Sequence, residues 1–263
     1  MQTTPSHPWK FFILVWIMSL PFWIASYYIQ GSNLPDNLPL TDIGAALTPM
    51  IAAAILRYKE GGTQAVKHLF ARTFDISRIR NKKWLWVAVF LFPLLYVLTF
   101  IVQDLSGFSV GKFVFPSLMV LLGTLVMFFI AATVEELGYA AYATEALQKK
   151  YNSLMTALII GVPWALWHLN SMIQVGQTPL LIIWGLLGTV AVRVLYVWLF
   201  NNTYASVFAL ILCHTIANTA RTNYPGGRSA YELGEGMIAY GIIIIVTIII
   251  ICIYGKDLGR KIK

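Results

Sequence analysis

Eight stretches of the chain, residues 11–28, 40–56, 84–102, 113–147, 153–173, 180–200, 204–222 and 237–254, are apolar for about the length a helix needs to cross a bilayer core, ~20 residues. This pattern predicts an all-α, polytopic membrane protein of about eight transmembrane helices. The first run follows Lys10 in the manner of a signal peptide. It is too long for an h-region and no small-x-small cleavage site follows, so it reads as a retained anchor. The fourth run is longer than a crossing requires.

Composition closes off the alternatives. Hydrophobic residues are 58% of the 263 and charged residues 11%, less than half of the roughly 25% of a soluble domain, too few to coat a water-facing surface. A soluble cytosolic enzyme is excluded, and so is intrinsic disorder. Cys213 and Cys252 lie in apolar runs without paired spacing, which predicts packing roles and neither a disulfide framework nor a thiolate zinc site. No repeat, low-complexity tract or soluble insertion is visible, and residues 1–263 are expected to form one integral membrane domain.

Eight spans place both termini on one side. Of the 19 Lys and Arg residues, 15 fall on that side, in the N-terminal flank, residues 57–83, Lys149, Lys150 and the C-terminal tail. The positive-inside rule makes it the cytoplasmic face of the cell membrane. Lys112, Arg221 and Arg228 fall on the opposite side, and Arg193 within a span. The net charge of +8 is thereby a matter of orientation, and no nucleic-acid partner is expected. Between the second and third spans, residues 60–83 mix Leu69, Phe70 and Phe74 with basic residues, as an interfacial helix or a solvated loop would.

Ionisable groups inside spans are costly and therefore informative. The fourth span carries Glu135 and Glu136, the fifth His168 after Pro163, the sixth Arg193, and the seventh His214 and Asn218. His214 and Asn218 are four apart and share a helical face. Glu135 and Glu136 diverge by about 100°, so the two face different neighbours and take different roles. Counted from the basic ends of their spans at 1.5 Å per residue, Glu135, His168, His214 and Asn218 lie at depths of roughly 24, 26, 16 and 22 Å. Three antiparallel spans thus bring a carboxylate, two imidazoles and an amide into one slab, which predicts a single buried polar site. Trp164 and Trp167 read by default as an interfacial aromatic belt.

The segments EELGYA (135–140), WALWH (164–168) and HTIAN (214–218), with Asn201, Asn202, Thr203 and Ser206 ahead of the last, resemble the EExxxR, FxxxH and HxxxN motifs of a known family. It is the CAAX protease and bacteriocin-processing family, also called Abi, of glutamic intramembrane proteases. The resemblance covers residues 113–222. Trp164 stands where the family has Phe, and Ala140 where it has Arg. It implies a metal-independent endopeptidase without cofactor, acting on a membrane-associated peptide, either prenylated or of the leader or pheromone kind. Glu135 and His168 would activate a water, His214 and Asn218 would stabilise the oxyanion, and Glu136 would orient or share protons. The alternatives are a zinc protease using Glu135, His168 and His214, a non-catalytic scaffold or immunity-type binding protein, and a proton-relay transporter. No HExxH supports the first and no inverted repeat the last.

The missing arginine points to Arg193, the one cation inside a span. Counted back from residue 200, Arg193 lies roughly 10 Å deep, level with Glu145 at roughly 9 Å and short of Glu136 at roughly 22 Å. Pairing with Glu145, or snorkelling to the interface, is therefore expected, with compensation at Glu136 as the alternative.

Overall fold

A computed structural model describes residues 7–29, 40–112 and 114–260. Their regular elements are all helical, and the protein is an all-α, polytopic membrane protein. Helix α1 (Pro8–Ser26) opens with Pro8 in its first turn, where a missing N–H leaves no bond unmade. Its residues Phe11, Val15 and Ser19, spaced four apart, form one buried face. Ser19 is tied to Thr48 at 2.9 Å, and Trp167 donates to Ser19 at 2.8 Å, so the expected anchor is a packed member of the bundle.

The short α2 (Asp42–Ala46) precedes α3 (Thr48–Ala71), which is broken at Gly61 and Gly62, where Gly62 takes a φ of +62°. Helix α4 (Lys83–Leu105) follows. Helix α5 (Leu118–Gly138), capped by Ser117, runs through a π-helical stretch, Tyr139–Thr144, into α6 (Glu145–Leu147), so the long fourth run is one 30-residue span. Helices α7 (Ser153–Gln174), α8 (Pro179–Asn202) and α9 (Val207–Thr222) start at Asn152, Thr178 and Ser206, whose side chains each accept a backbone N–H of the first turn. Helices α10 (Gly227–Tyr231) and α11 (Met237–Tyr254) end the bundle.

Six of these helices are long and apolar enough to cross a membrane: α1, α4, the α5–α6 span, α7, α8 and α11. The other two of the eight apolar runs differ for physical reasons. Residues 40–56 are divided between α2 and α3. Helix α9 has only 16 residues and carries His214, Asn218 and Arg221, and it packs against α4, α5 and α8. A helix enclosed by neighbours need not match the apolarity of lipid.

The segment 60–83 docks onto the bundle. It comprises the second half of α3 and two short 3₁₀ turns. The Asp75 carboxylate accepts from Ser206 Oγ (2.8 Å) and from the backbone N–H groups of Val207 (3.2 Å) and Phe208 (3.0 Å), capping α9 from outside. Arg72 bonds Asp75 at 2.6 Å and also reaches Glu145 and the Ala205 carbonyl. Burial opposes the charge of Arg72, but Glu145 and Asp75 outweigh it and hold the guanidinium above its ordinary pKa. Cys213 is buried as expected, whereas Cys252 is exposed on α11.

Candidate active site

Helices α5 and α9 pack side by side, with α7 against α8, around a cavity of about 400 Å³. Small residues permit the approach. A Cβ on Gly161 of α7 would sit 3.2 Å from the Cβ of Arg193, and one on Gly138 would sit 2.7 Å from the carbonyl of Pro49. Glu135, His168, His214 and Asn218 all line this cavity, each from the helix on which the sequence placed it.

The two glutamates diverge as their 100° separation requires. Glu135 faces the cavity, and Trp164 Nε1 donates to its Oε2 at 2.8 Å. Glu136 turns away into the protein, where Arg193 Nη1 meets its Oε2 at 2.9 Å and His214 Nδ1 its Oε1 at 3.1 Å. Both members of the Arg193–Glu136 pair are 0% exposed. Among the described residues, Nε and Nη2 of Arg193 have no hydrogen-bond partner. The guanidinium instead lies 4.1 Å from the centroid of the Trp164 ring and 5.2 Å from those of Tyr139 and Tyr196. Aromatic faces thus supply the attraction that water would have given.

This pairing corrects the expectation for Arg193. Glu145 is taken by Arg72, and Arg193 neither joins it nor reaches the interface. The depth count failed because it ended α8 two residues early, at residue 200, and measured the fourth span from Tyr151, in the loop beyond Leu147. From Asn202, the true end of α8, Arg193 is about 13 Å deep, and from Leu147 Glu136 is about 16 Å deep.

The aromatic-belt expectation is corrected as well. Trp164 and Trp167 are buried, with ring centroids 5.3 and 4.9 Å from that of His168, and each spends its N–H on a buried partner, Glu135 and Ser19 respectively. Phe at position 164 could hold the ring position but could not donate to Glu135. The sequence reading also missed Asp42, hydrogen-bonded to Ser171, and the guanidiniums of Arg221 and Arg228, all of which line the cavity. Arg221 was assigned to the loop side of its span. Its spacing of three from Asn218 was the signal that it shares the site-bearing face.

With Nδ1 of His214 held by Glu136, Nε2 is the ring atom left to meet a reacting oxygen. Asn218, one turn farther along α9, presents its amide at the same cavity. Among the described residues, no three His, Cys, Asp or Glu side chains are grouped closely enough to hold a metal ion. The cavity is therefore lined by a carboxylate from α5, an imidazole from α7, and an imidazole and an amide from α9.

Residues 116–220, which hold Glu135, Glu136, His168, Arg193, His214 and Asn218, match the family described as type II CAAX prenyl endopeptidase, Rce1-like. The chain is also 25% identical over 232 residues to CAAX prenyl protease 2 of Methanococcus maripaludis, covering 81% of this chain and 83% of that protein. The two matches bear out the resemblance that the motifs carry, to the CAAX protease and bacteriocin-processing family, across the segment that builds the cavity.

Proposed function

We propose that this membrane protein is an intramembrane endopeptidase of the CAAX type, using Glu135 and His168 to activate water against a peptide bond of a membrane-associated substrate. The observation that carries this reading is the convergence of Glu135, His168, His214 and Asn218 on one cavity from three helices. The two matches to CAAX prenyl endopeptidases support the reaction class.

In this mechanism, the free oxygen of Glu135 takes a proton from a water placed between it and His168, while Trp164 holds the other oxygen in place. Attack on the scissile carbonyl develops negative charge on its oxygen. Asn218 donates an amide N–H to that oxygen, and His214 donates through Nε2 when its ring carries both protons. Glu136 touches no substrate. Clamped by Arg193, it fixes the orientation of the His214 ring. The proton held by Glu135 passes to the leaving amine as the bond breaks. The substrate is a prenylated peptide, or a leader or pheromone peptide, entering from the bilayer.

The test is purified full-length protein in neutral lipid vesicles, given a prenylated fluorogenic peptide. Glu135→Gln keeps the shape and removes the base, so cleavage should vanish while the melting temperature stays within a few degrees. Wild-type turnover in that variant would end the glutamic-protease reading.

A further inference from the structure

A second cavity, of about 480 Å³, lies between α1 and α3 and shares no lining residue with the one that holds Glu135. The two helices run antiparallel. Ser19 of α1 meets Thr48 at the start of α3, while His7, just ahead of α1, donates its backbone N–H to the Tyr142 hydroxyl (3.1 Å), which donates in turn to Glu60 Oε1 (2.5 Å). Each helix lines the cavity with the same order of residues. On α1, Lys10 lies one turn from Ile13 and Leu14; on α3, Lys59 lies one turn from Leu56. From both walls, therefore, the cation lies nearer the basic end of the bundle and the aliphatic residues lie deeper. Among the described residues, neither Lys10 nor Lys59 makes an ion pair. The one carboxylate lining the cavity, Glu60, is already taken by Arg57 (3.3 Å) and Tyr142, and its side chain is 6% exposed. Helix α1 has no side-chain cap and no acidic residue in its first turn, so its free N–H groups add to the positive potential. Trp9 and Tyr58, the sequence neighbours of the two lysines, are exposed, as aromatic rings at the headgroup layer are.

Cations at one end and aliphatic side chains at the other match an amphiphile with an anionic head. A free phosphate would use the lysines and leave the aliphatic half unmatched, and a lipid without net charge would leave the excess positive charge. We propose that this cavity binds one anionic phospholipid, with its phosphodiester between Lys10 and Lys59 and an acyl chain along Ile13, Leu14 and Leu56. Ile13 is 59% exposed, so the deeper half is open to the bilayer and a chain enters without crossing the protein. Lysine suits this task, because an ammonium on a flexible stem follows a headgroup as a point charge. Occupied, the site fastens α1 to α3 beside the π-helical stretch, whose Tyr142 already ties the two together. The site stands whatever reaction the larger cavity performs.

The experiment titrates purified full-length protein in neutral detergent with phosphatidylglycerol or phosphatidylcholine and counts bound lipids by native mass spectrometry. Wild type should hold one phosphatidylglycerol about 10-fold or more tighter than phosphatidylcholine. The double variant Lys10→Gln, Lys59→Gln should weaken that first site by about 10- to 30-fold, the worth of two lysines beside an anionic headgroup. Lys149→Gln with Lys150→Gln removes two charges elsewhere at the basic end and should leave it unchanged. All four lysines are exposed, and melting in phosphatidylcholine reports that both variants are folded. Lys10→Arg with Lys59→Arg keeps the charge and should bind nearly as wild type does. Millimolar inorganic phosphate should not displace the lipid, since it has no chain to fill the deeper half. No preference for phosphatidylglycerol in wild type overturns the proposal, as does unchanged binding in the Lys10, Lys59 glutamine variant. Equal loss in the two glutamine variants assigns the preference to general surface charge and overturns it too. Displacement by phosphate makes this a site for the free ion and overturns the lipid assignment.

Discussion

Trp164 and Arg193 show how single residues set the chemistry of this cavity. A tryptophan in place of phenylalanine adds one N–H, and that N–H is spent on Glu135. Trp164→Phe should keep the ring packed and lower kcat by about tenfold with little change in KM, since one hydrogen bond to a charged group is lost; steady-state kinetics on the prenylated peptide checks it. Arg193 supplies from α8 the positive charge that Ala140 withholds from α5. Removing one partner of a buried ion pair leaves the other uncompensated, so Arg193→Leu should cost about 3–5 kcal/mol of stability. It should also release the His214 ring and lower activity. Adding Ala140→Arg to that variant should restore part of both, read by thermal melting in detergent and by turnover. A fully active, fully stable Arg193→Leu protein would reduce the pair to bystanders.

At the level of elements, α9 carries His214 and Asn218, and its start is held from outside. At its start, Asp75 gathers two backbone N–H groups and the Ser206 hydroxyl. Asp75→Ala should lower stability by about 0.5–2 kcal/mol, the worth of a helix cap. Since the loss falls on the helix bearing His214 and Asn218, kcat should fall with it; melting and kinetics measured on the same sample test both effects. The basic segment 60–83 was legible in the sequence as amphipathic and charged, but its task was not. Capping joins positions 131 to 133 residues apart, and no local pattern encodes that. The π-helical stretch Tyr139–Thr144 was equally hidden, because it follows the same apolar pattern as the α-helix around it. Such wide turns often stand beside functional groups, and this one begins three residues after Glu136.

For the whole molecule, the charge asymmetry makes a prediction about orientation. The positive-inside rule puts the loop bearing Lys149 and Lys150 in the cytoplasm, at the end of the bundle opposite the α10 loop. In a Cys213→Ala, Cys252→Ala background, Lys149→Cys should resist a membrane-impermeant maleimide in intact cells and react once they are permeabilised. Labelling in intact cells would reverse the topology. The same experiment with Arg228→Cys reports which face the cavity's guanidinium wall approaches.

What the sequence alone determined about this protein is what local and periodic patterns carry. Apolar length announced a helical membrane protein, and the spacing of Glu135, His168, His214 and Asn218 placed them at one depth, where the structure gathers them around one cavity. Among the described residues six helices are long and apolar enough to cross, and only packing accounts for α9, whose polar groups are enclosed by its neighbours α4, α5 and α8. Packing also decided which carboxylate Arg193 meets. A depth counted along the chain depends on where each helix ends, whereas Arg193 meets Glu136 in a bundle where α8 packs closely on α7 at Gly161. The partners of Glu135 and Glu136 come from other helices, 29 and 57 residues away for Trp164 and Arg193 and 78 for His214, and only the assembled bundle brings them into contact.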